Sequence, residues 1–366
     1  MQGQCQIILE LMGSHNLTKA VRLSDPVDTT APYDVSGLAG KTILITGGAL
    51  GIGAAFARQW ASNGANIAVG DINDEAGQNL VAELRRDHPK GTHHYFHCDV
   101  AFFKDTAAAS PHGGIDIVVA NAGISRPVDN SHFENPVACA DDPDAPARPS
   151  TTTIDINITA AMHTAHLAMF WLPRNGGANK LNAARNATWQ AVDESRDRCL
   201  LLLGSVAGLV PFVEQTQYTI SKHAITGLFR CLRGSAWKHG IRVNMVCPYF
   251  ISGSNMFPAA VEAVLLSGGA GGAQFPAVID AATRLVADET IVGRALVIGP
   301  SVQDGDGPAT LEGKAEKKAI WECYAEDYTD ADMFVWRWVN IVNAVEKARG
   351  WYGVVADVLS ILFRWK

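Results

Sequence analysis

Tyr218 and Lys222 stand four residues apart in the stretch Tyr218-Thr-Ile-Ser-Lys222-His-Ala-Ile-Thr-Gly-Leu-Phe. That stretch has the pattern of a helix, and helical spacing places both side chains on one face. An ammonium beside a phenol favours the phenolate and draws an ordinary pKa of about 10 toward working pH. A general acid/base needs that shift. Ser205 lies thirteen residues before Tyr218, where the short apolar run Cys199-Leu-Leu-Leu-Leu203 gives way to Gly204. Such a run reads as a buried strand, and its end is the ligand-facing edge of an open α/β sheet. On its own, Tyr-x-x-x-Lys is also compatible with a solvated pair on a helix surface. The strand and the serine placed ahead of it favour chemistry on a polarised oxygen.

A second constellation lies near the start of the regular pattern. Thr42-Ile-Leu-Ile-Thr46 is a β run, Gly47-Gly-Ala-Leu50-Gly51-Ile52-Gly53 a glycine-rich turn, and Ala-Ala-Phe-Ala-Arg-Gln-Trp a helical continuation. Strand, glycine turn and helix in that order form a cradle for a pyrophosphate. A phosphate-loop NTPase would need Gly-Lys-Ser/Thr at the end of the turn, but Gly53 is followed by Ala54 and Ala55. The next strand, Asn66-Ile-Ala-Val-Gly70, ends in Asp71, with Ile72 after it. A carboxylate there accepts both adenosine ribose hydroxyls and repels a 2′-phosphate. No Lys or Arg in the glycine turn would offset that repulsion, so NAD is expected ahead of NADP. Asp99 and Val100 follow the next strand, where an adenine would lie, and Ile115-Asp-Ile-Val-Val-Ala runs into Asn121-Ala122-Gly123. His93, His94, His97 and Cys98 alternate between the two faces of a strand, so no metal site is expected.

These elements must be held by an ordinary globular chain. It has 366 residues, 48% hydrophobic and 18% charged, with a formal net charge of −7. That balance, without a basic run, argues against nucleic acid. Seven scattered cysteines without paired spacing and an N-terminus unlike a secretory signal point to a cytoplasmic protein. Three regions are expected: an N-terminal extension over 1–38, loosely ordered or draped on the surface; a catalytic domain over 39–300; and a helical tail over 301–366. Within the domain, residues 128–150 have the composition of a long loop and 173–198 that of a surface insertion. The connection from Ala101 to Gly114 is short for a crossover helix. Residues 253–277, with Met256 and Phe257, read as a substrate lid, and Gly293 to Gly299 as the closing strand. The tail carries Trp336, Trp338, Ile341, Val342 and Val345 at helical spacing. It falls short of a membrane span and is expected to pack on the protein near the lid or a subunit contact.

Taken together, Thr46-Gly47-x-x-x-Gly51-x-Gly53, Asp71, Asp99, Asn121-Ala-Gly123, Asn157, Ser205, Tyr218 and Lys222 resemble the short-chain dehydrogenase/reductase family over roughly residues 38 to 300. Within it the chain resembles the 15-hydroxyprostaglandin dehydrogenase type. It is more similar still to fungal natural-product dehydrogenases of the 5′-hydroxyaverantin kind, on the segments Glu134–Pro149, Asp197-Arg-Cys and Pro248-Tyr-Phe-Ile. The resemblance implies one doubly wound α/β Rossmann-type domain with a mostly parallel sheet. It implies reversible hydride transfer between a nicotinamide and a small-molecule secondary alcohol or ketone, the apolar lid and aromatic tail hinting at a bulky one. Tyr218 would be the acid/base, Lys222 would lower its pKa and hold the ribose, Ser205 would bind the substrate oxygen, and Asn157 would position Lys222 through a water. Pro248 and Ile251 are implied at the nicotinamide end, and a homodimer or homotetramer through helices 157–172 and 218–233. The chain departs from the family's Pro-Gly and following Thr, having Pro248-Tyr-Phe-Ile251-Ser252-Gly-Ser254 instead. An NADP-dependent ketone reductase, a non-catalytic dinucleotide sensor and a chain whose packing is disturbed by its insertions stay open as alternatives.

Overall fold

The computed structural model describes residues 22–102, 114–174, 196–212, 214–251, 272–300 and 319–324, with a few positions between 341 and 352. Apolar runs too short for helices become central strands buried on both faces, as a parallel sheet covered by helices requires, while the two edge strands are only half-buried. In chain order these are β1 (Thr42–Thr46), β2 (Asn66–Asp71), β3 (His93–His97), β4 (Ile117–Ala120), β5 (Cys199–Leu203), β6 (Arg242–Pro248), β7 (Ala295–Ile298) and β8 (Ile320–Cys323). They form one sheet in the order β3-β2-β1-β4-β5-β6-β7-β8. All pairings are parallel except the last, β7 with β8. The strand order reverses between β1 and β4, and ligands of open α/β sheets sit at such a switch point.

Helices cover both faces. On one lie α1 (Gly51–Ser62), α2 (Asp74–Asp87) and, from the far end of the chain, α6 (Phe275–Ala287). Trp60 of α1, fully buried, stacks on Phe56 and donates its indole N–H to Thr283 of α6 at 2.9 Å, which joins the two helices. Burying a ring of that size contributes about 1.5–3 kcal/mol. On the other face lie α4 (Ala161–Trp171) and α5 (Thr216–Arg233). Between β4 and α4 runs α3 (Pro127–Glu134), which opens with Pro at its first position, where a missing N–H costs nothing. α3 corrects the reading of 128–150 as loop throughout.

Two further features differ from the sequence expectation. The run entering α4 is not a uniform α-helix: Asp155–Ala160 is a π-helical segment, with Asn157 inside it. Strand β8 lies in the stretch read as a helical tail, so Ala295–Ile298 does not close the sheet. Antiparallel pairing added an edge strand whose half-buried residues carry little sequence signal. Residues 24–34 drape over the same side: Val27 N–H donates to Glu322 of β8 at 2.7 Å, and Tyr33 OH to Asp280 of α6 at 2.8 Å. The short third crossover (103–113), most of the 173–198 insertion, residues 253–271 of the expected 253–277 lid and tail residues Trp336, Trp338, Val342 and Val345 lie outside the described residues. The end of that lid stretch is not lid: Ala273 is buried and Phe275 opens α6. Ile341 is described, and is exposed.

Candidate active site

The C-terminal ends of β1, β2, β4 and β5 surround a cleft of about 530 Å³. Gly47, Leu50, Gly51 and Ile52 line it from the glycine turn, Asp71 and Ile72 from the end of β2, Asp99 and Val100 from beyond β3, and Asn121, Ala122 and Gly123 from beyond β4. Gly47 has φ 62°, a conformation a side chain strains. Gly53 does not line the cleft but permits it, because a Cβ there would meet Gly47 O at 2.4 Å and Asn121 Nδ2 at 2.7 Å. Asn121 ties the turn down, its Nδ2 donating to Thr46 O at 2.9 Å and Gly47 O at 2.8 Å.

The lining fits a dinucleotide. α1 starts at the turn, and its N-cap residue Leu50 makes no side-chain bond to the first turn. First-turn N–H groups with no such acceptor suit an anion. The Asp71 carboxylate is held by two backbone donors, Ala49 N–H and Asn73 N–H, each at 3.0 Å, which aim it at the rim of the cleft.

The four polar residues singled out in sequence lie outside the lining and come together beside it, reaching it at Leu203 and Ile124. Lys222 is buried and donates to Leu203 O, itself a lining residue, at 3.0 Å. Its Nζ stands 5.7 Å from the centre of the Tyr218 ring. Burial pulls the Lys222 pKa down to about 8. Burial also pushes the Tyr218 phenol up, opposed by a hydrogen bond with Ser205. The expected lowering by Lys222 is not what the structure displays: the shift is upward, set by desolvation of the phenolate, and only Ser205 opposes it. Ser205 is buried at the end of β5, where its Oγ accepts from Ala207 N–H at 3.1 Å.

Asn157 sits close by and does not bond Lys222 directly. Its Oδ1 accepts from Ile124 N–H at 2.8 Å, and its Nδ2 donates to Ile124 O at 2.9 Å and Ser221 Oγ at 3.0 Å. The π-helical turn aims this amide at the segment after Gly123. Pro248 ends β6 and Ile251 is buried beside Ala273, both outside the lining of the cleft. Residues 252 and 254, whose hydroxyls could stand for the missing Thr, lie outside the described residues.

Sequence reasoning missed Asn73, Cys98, Ile124, Ser125, Ile156 and Leu203, which also line the cleft. Their signal is positional: each adjoins a strand end or glycine turn already identified, except Ile156, which precedes Asn157 in the π-helical segment. Among the described residues no helix is long and apolar enough to cross a membrane.

Comparison with known proteins agrees with this geometry. The family model for short chain dehydrogenases matches residues 41–188 and 181–264. The chain is 31% identical to 5′-hydroxyaverantin dehydrogenase of Emericella nidulans over 75% of its length and 89% of that protein's. It is 29% identical to the enzyme of the same name from Dothistroma septosporum, over 73% and 87%. It is 30% identical to the NADP-dependent dehydrogenase M3 of a Phoma species, over 74% and 78%. Among solved structures, a short-chain type dehydrogenase/reductase from Mycobacterium marinum has the same fold, with a TM-score of 0.56 at 24% identity, covering 72% of this chain and 96% of that one. Strand–turn–helix cradle, a half-buried Tyr218 beside buried Ser205, Lys222 and Asn157, and matching family model agree: the chain belongs to the short-chain dehydrogenase family, oxidoreductases that act on small molecules with a nicotinamide dinucleotide.

Proposed function

We propose that the chain interconverts a secondary alcohol and a ketone, with NAD preferred over NADP and Tyr218 as the acid/base. The observation that carries this reading is the convergence of Ser205, Tyr218 and Lys222 beside the cleft, with Lys222 bonded to its lining residue Leu203. The bound dinucleotide supplies or accepts the hydride. In oxidation the Tyr218 oxygen takes the hydroxyl proton of the alcohol; in reduction it returns that proton to the carbonyl oxygen. Ser205 holds the same oxygen by a hydrogen bond. Lys222 holds the ribose through its ammonium. Asn157 orders the wall behind Lys222 through Ile124 and Ser221.

A carboxylate at position 71 supports NAD, since a 2′-phosphate would sit against it. The NADP-dependent relative supports the other reading. Val210 and Phe212, exposed between Ser205 and α5, support a bulky apolar substrate, and the relatives named 5′-hydroxyaverantin dehydrogenase support an alcohol as substrate. A cytoplasmic homo-oligomer of one catalytic domain, with extensions at both ends, completes the proposal.

The test is a panel of apolar secondary alcohols screened by NADH fluorescence, with NAD and NADP side by side. Tyr218→Phe is expected to bind NADH within about twofold of the native chain. Its turnover is expected to fall by at least about a hundredfold, the scale of a lost acid/base group. Native turnover in that variant removes Tyr218 from the mechanism. Equal use of NADP by the native chain removes the cofactor preference.

A further inference from the structure

The helix that carries Tyr218 begins without a cap of its own. Its N-cap residue, Gln215, makes no side-chain bond to the first turn, where four N–H groups lack helical acceptors. Two of these are met from another element. Asn130 of α3 accepts on Oδ1 from Gln217 N–H at 2.9 Å and from Tyr218 N–H at 3.4 Å. Its Nδ2 donates to Arg126 O at 3.3 Å and to Gln215 Oε1 at 3.2 Å. Asn130 is 0% exposed, so both ends of its amide are fully used inside the protein. The junction is reinforced by Gln217 Nε2, which donates to Ser150 O at 2.9 Å, and by a Thr216–Glu134 hydrogen bond.

α3 follows directly on residues 121–125, which line the cleft. One buried amide therefore connects the wall of the cleft to the backbone N–H of the acid/base residue. We propose that Asn130 is a positioning residue: it caps α5 from outside and fixes the Tyr218 hydroxyl against Ser205 for proton transfer. The proposal rests on the acid/base reading of Tyr218. A structural asparagine alone would affect folding. A positioning one also governs the step in which the phenolic proton moves, because proton transfer tolerates little displacement.

The experiment compares Asn130→Ala, Asn130→Asp and Tyr218→Phe. The probes are NADH and the secondary alcohol that the native chain turns over fastest. In Asn130→Ala, amide exchange at Gln217 and Tyr218 is expected to lose protection. Its kcat is expected to fall on the order of tenfold, and its solvent isotope effect on kcat to rise, with NADH affinity within about twofold of native. Asn130→Asp keeps an acceptor for both N–H groups but loses the donor to Arg126 O and Gln215 Oε1, so it is expected to recover only part of kcat. Native kcat and native isotope effect in Asn130→Ala overturn the proposal, and so does a loss that Asn130→Asp does not recover even in part. If Asn130→Ala does not fold, exchange in the native chain decides: unprotected amides at Gln217 and Tyr218 overturn the cap. Native turnover in Tyr218→Phe sinks the acid/base reading itself, whereas an inactive Tyr218→Phe beside a native-like Asn130→Ala sinks only this inference.

Discussion

Lys222 holds a proton in surroundings that disfavour its charge, with the Leu203 carbonyl as its one hydrogen-bond partner among the described residues. Burial lowers its pKa to about 8, whereas in the unfolded chain it returns to about 10.4. Between those values the unfolded chain binds a proton that the folded chain has released. Stability from this group therefore rises with pH across that window, and below it the full cost of the buried charge is present. Lys222→Met removes the titration. Without dinucleotide, the variant is expected to melt above the native chain at pH 7, and the native chain to gain on it between about pH 8 and pH 10. A melting difference that stays constant over that range would show that burial does not set the charge of Lys222. The proximity of Lys222, Tyr218 and Ser205 was legible in sequence, because their spacing is local. The direction of the Tyr218 shift was not, since it depends on burial that no spacing reports.

Elements decide where such residues end up, and β2–α2–β3 carries the clearest case. Tyr95 of β3 lies across α2 at Gly77, where a Cβ would come within 2.1 Å of its ring. Its hydroxyl stands 2.8 Å from Asp71 O and 2.5 Å from Asp74 Oδ1, and His97 Nδ1 lies 2.8 Å from the same carboxylate oxygen. Tyr95 thus holds both the end of β2 and the first turn of α2, between which Asp71 presents its carboxylate. Tyr95→Phe keeps the ring in the Gly77 slot and removes only the hydroxyl. One hydrogen bond contributes about 1 kcal/mol. KM for NAD is therefore expected to rise about fivefold with kcat unchanged, while Gly77→Ala, which displaces the ring, is expected to destabilise more. An unchanged KM would detach Tyr95 from cofactor recognition. Strand–turn–helix units of this kind were readable because β runs and glycine turns alternate along the chain. α3 was not, because its apolar positions are few and its helix is held by tertiary contacts with α5. The alternation of His93 and His97 against His94 was correctly anticipated, but Asp74 as the partner of His97 was not, since the two lie 23 residues apart.

At the scale of the molecule, the sheet ends on a strand whose sequence gives little sign of it. β8 is anchored by a buried ion pair, Arg294 Nη1 to Glu322 Oε1 at 3.2 Å, with side chains 1% and 8% exposed. Glu322 also accepts the Val27 N–H of the N-terminal segment, and Trp321 packs edge-on against Tyr249 at the end of β6. The N-terminal segment, β7 and β8 therefore meet at one carboxylate. Buried pairs are sensitive to the loss of one partner because the other is left as an uncompensated charge. Here Arg233 adds to the repulsion felt by Arg294. Glu322→Leu is expected to lower unfolding free energy by about 3–5 kcal/mol, measured by urea denaturation. The double variant Arg294→Leu/Glu322→Leu is expected to cost less than that single change, because no buried charge then stays unpaired. A single variant within about 1 kcal/mol of native would mean that β8 is dispensable. A double variant worse than the single would mean that Arg294 is held chiefly by other partners.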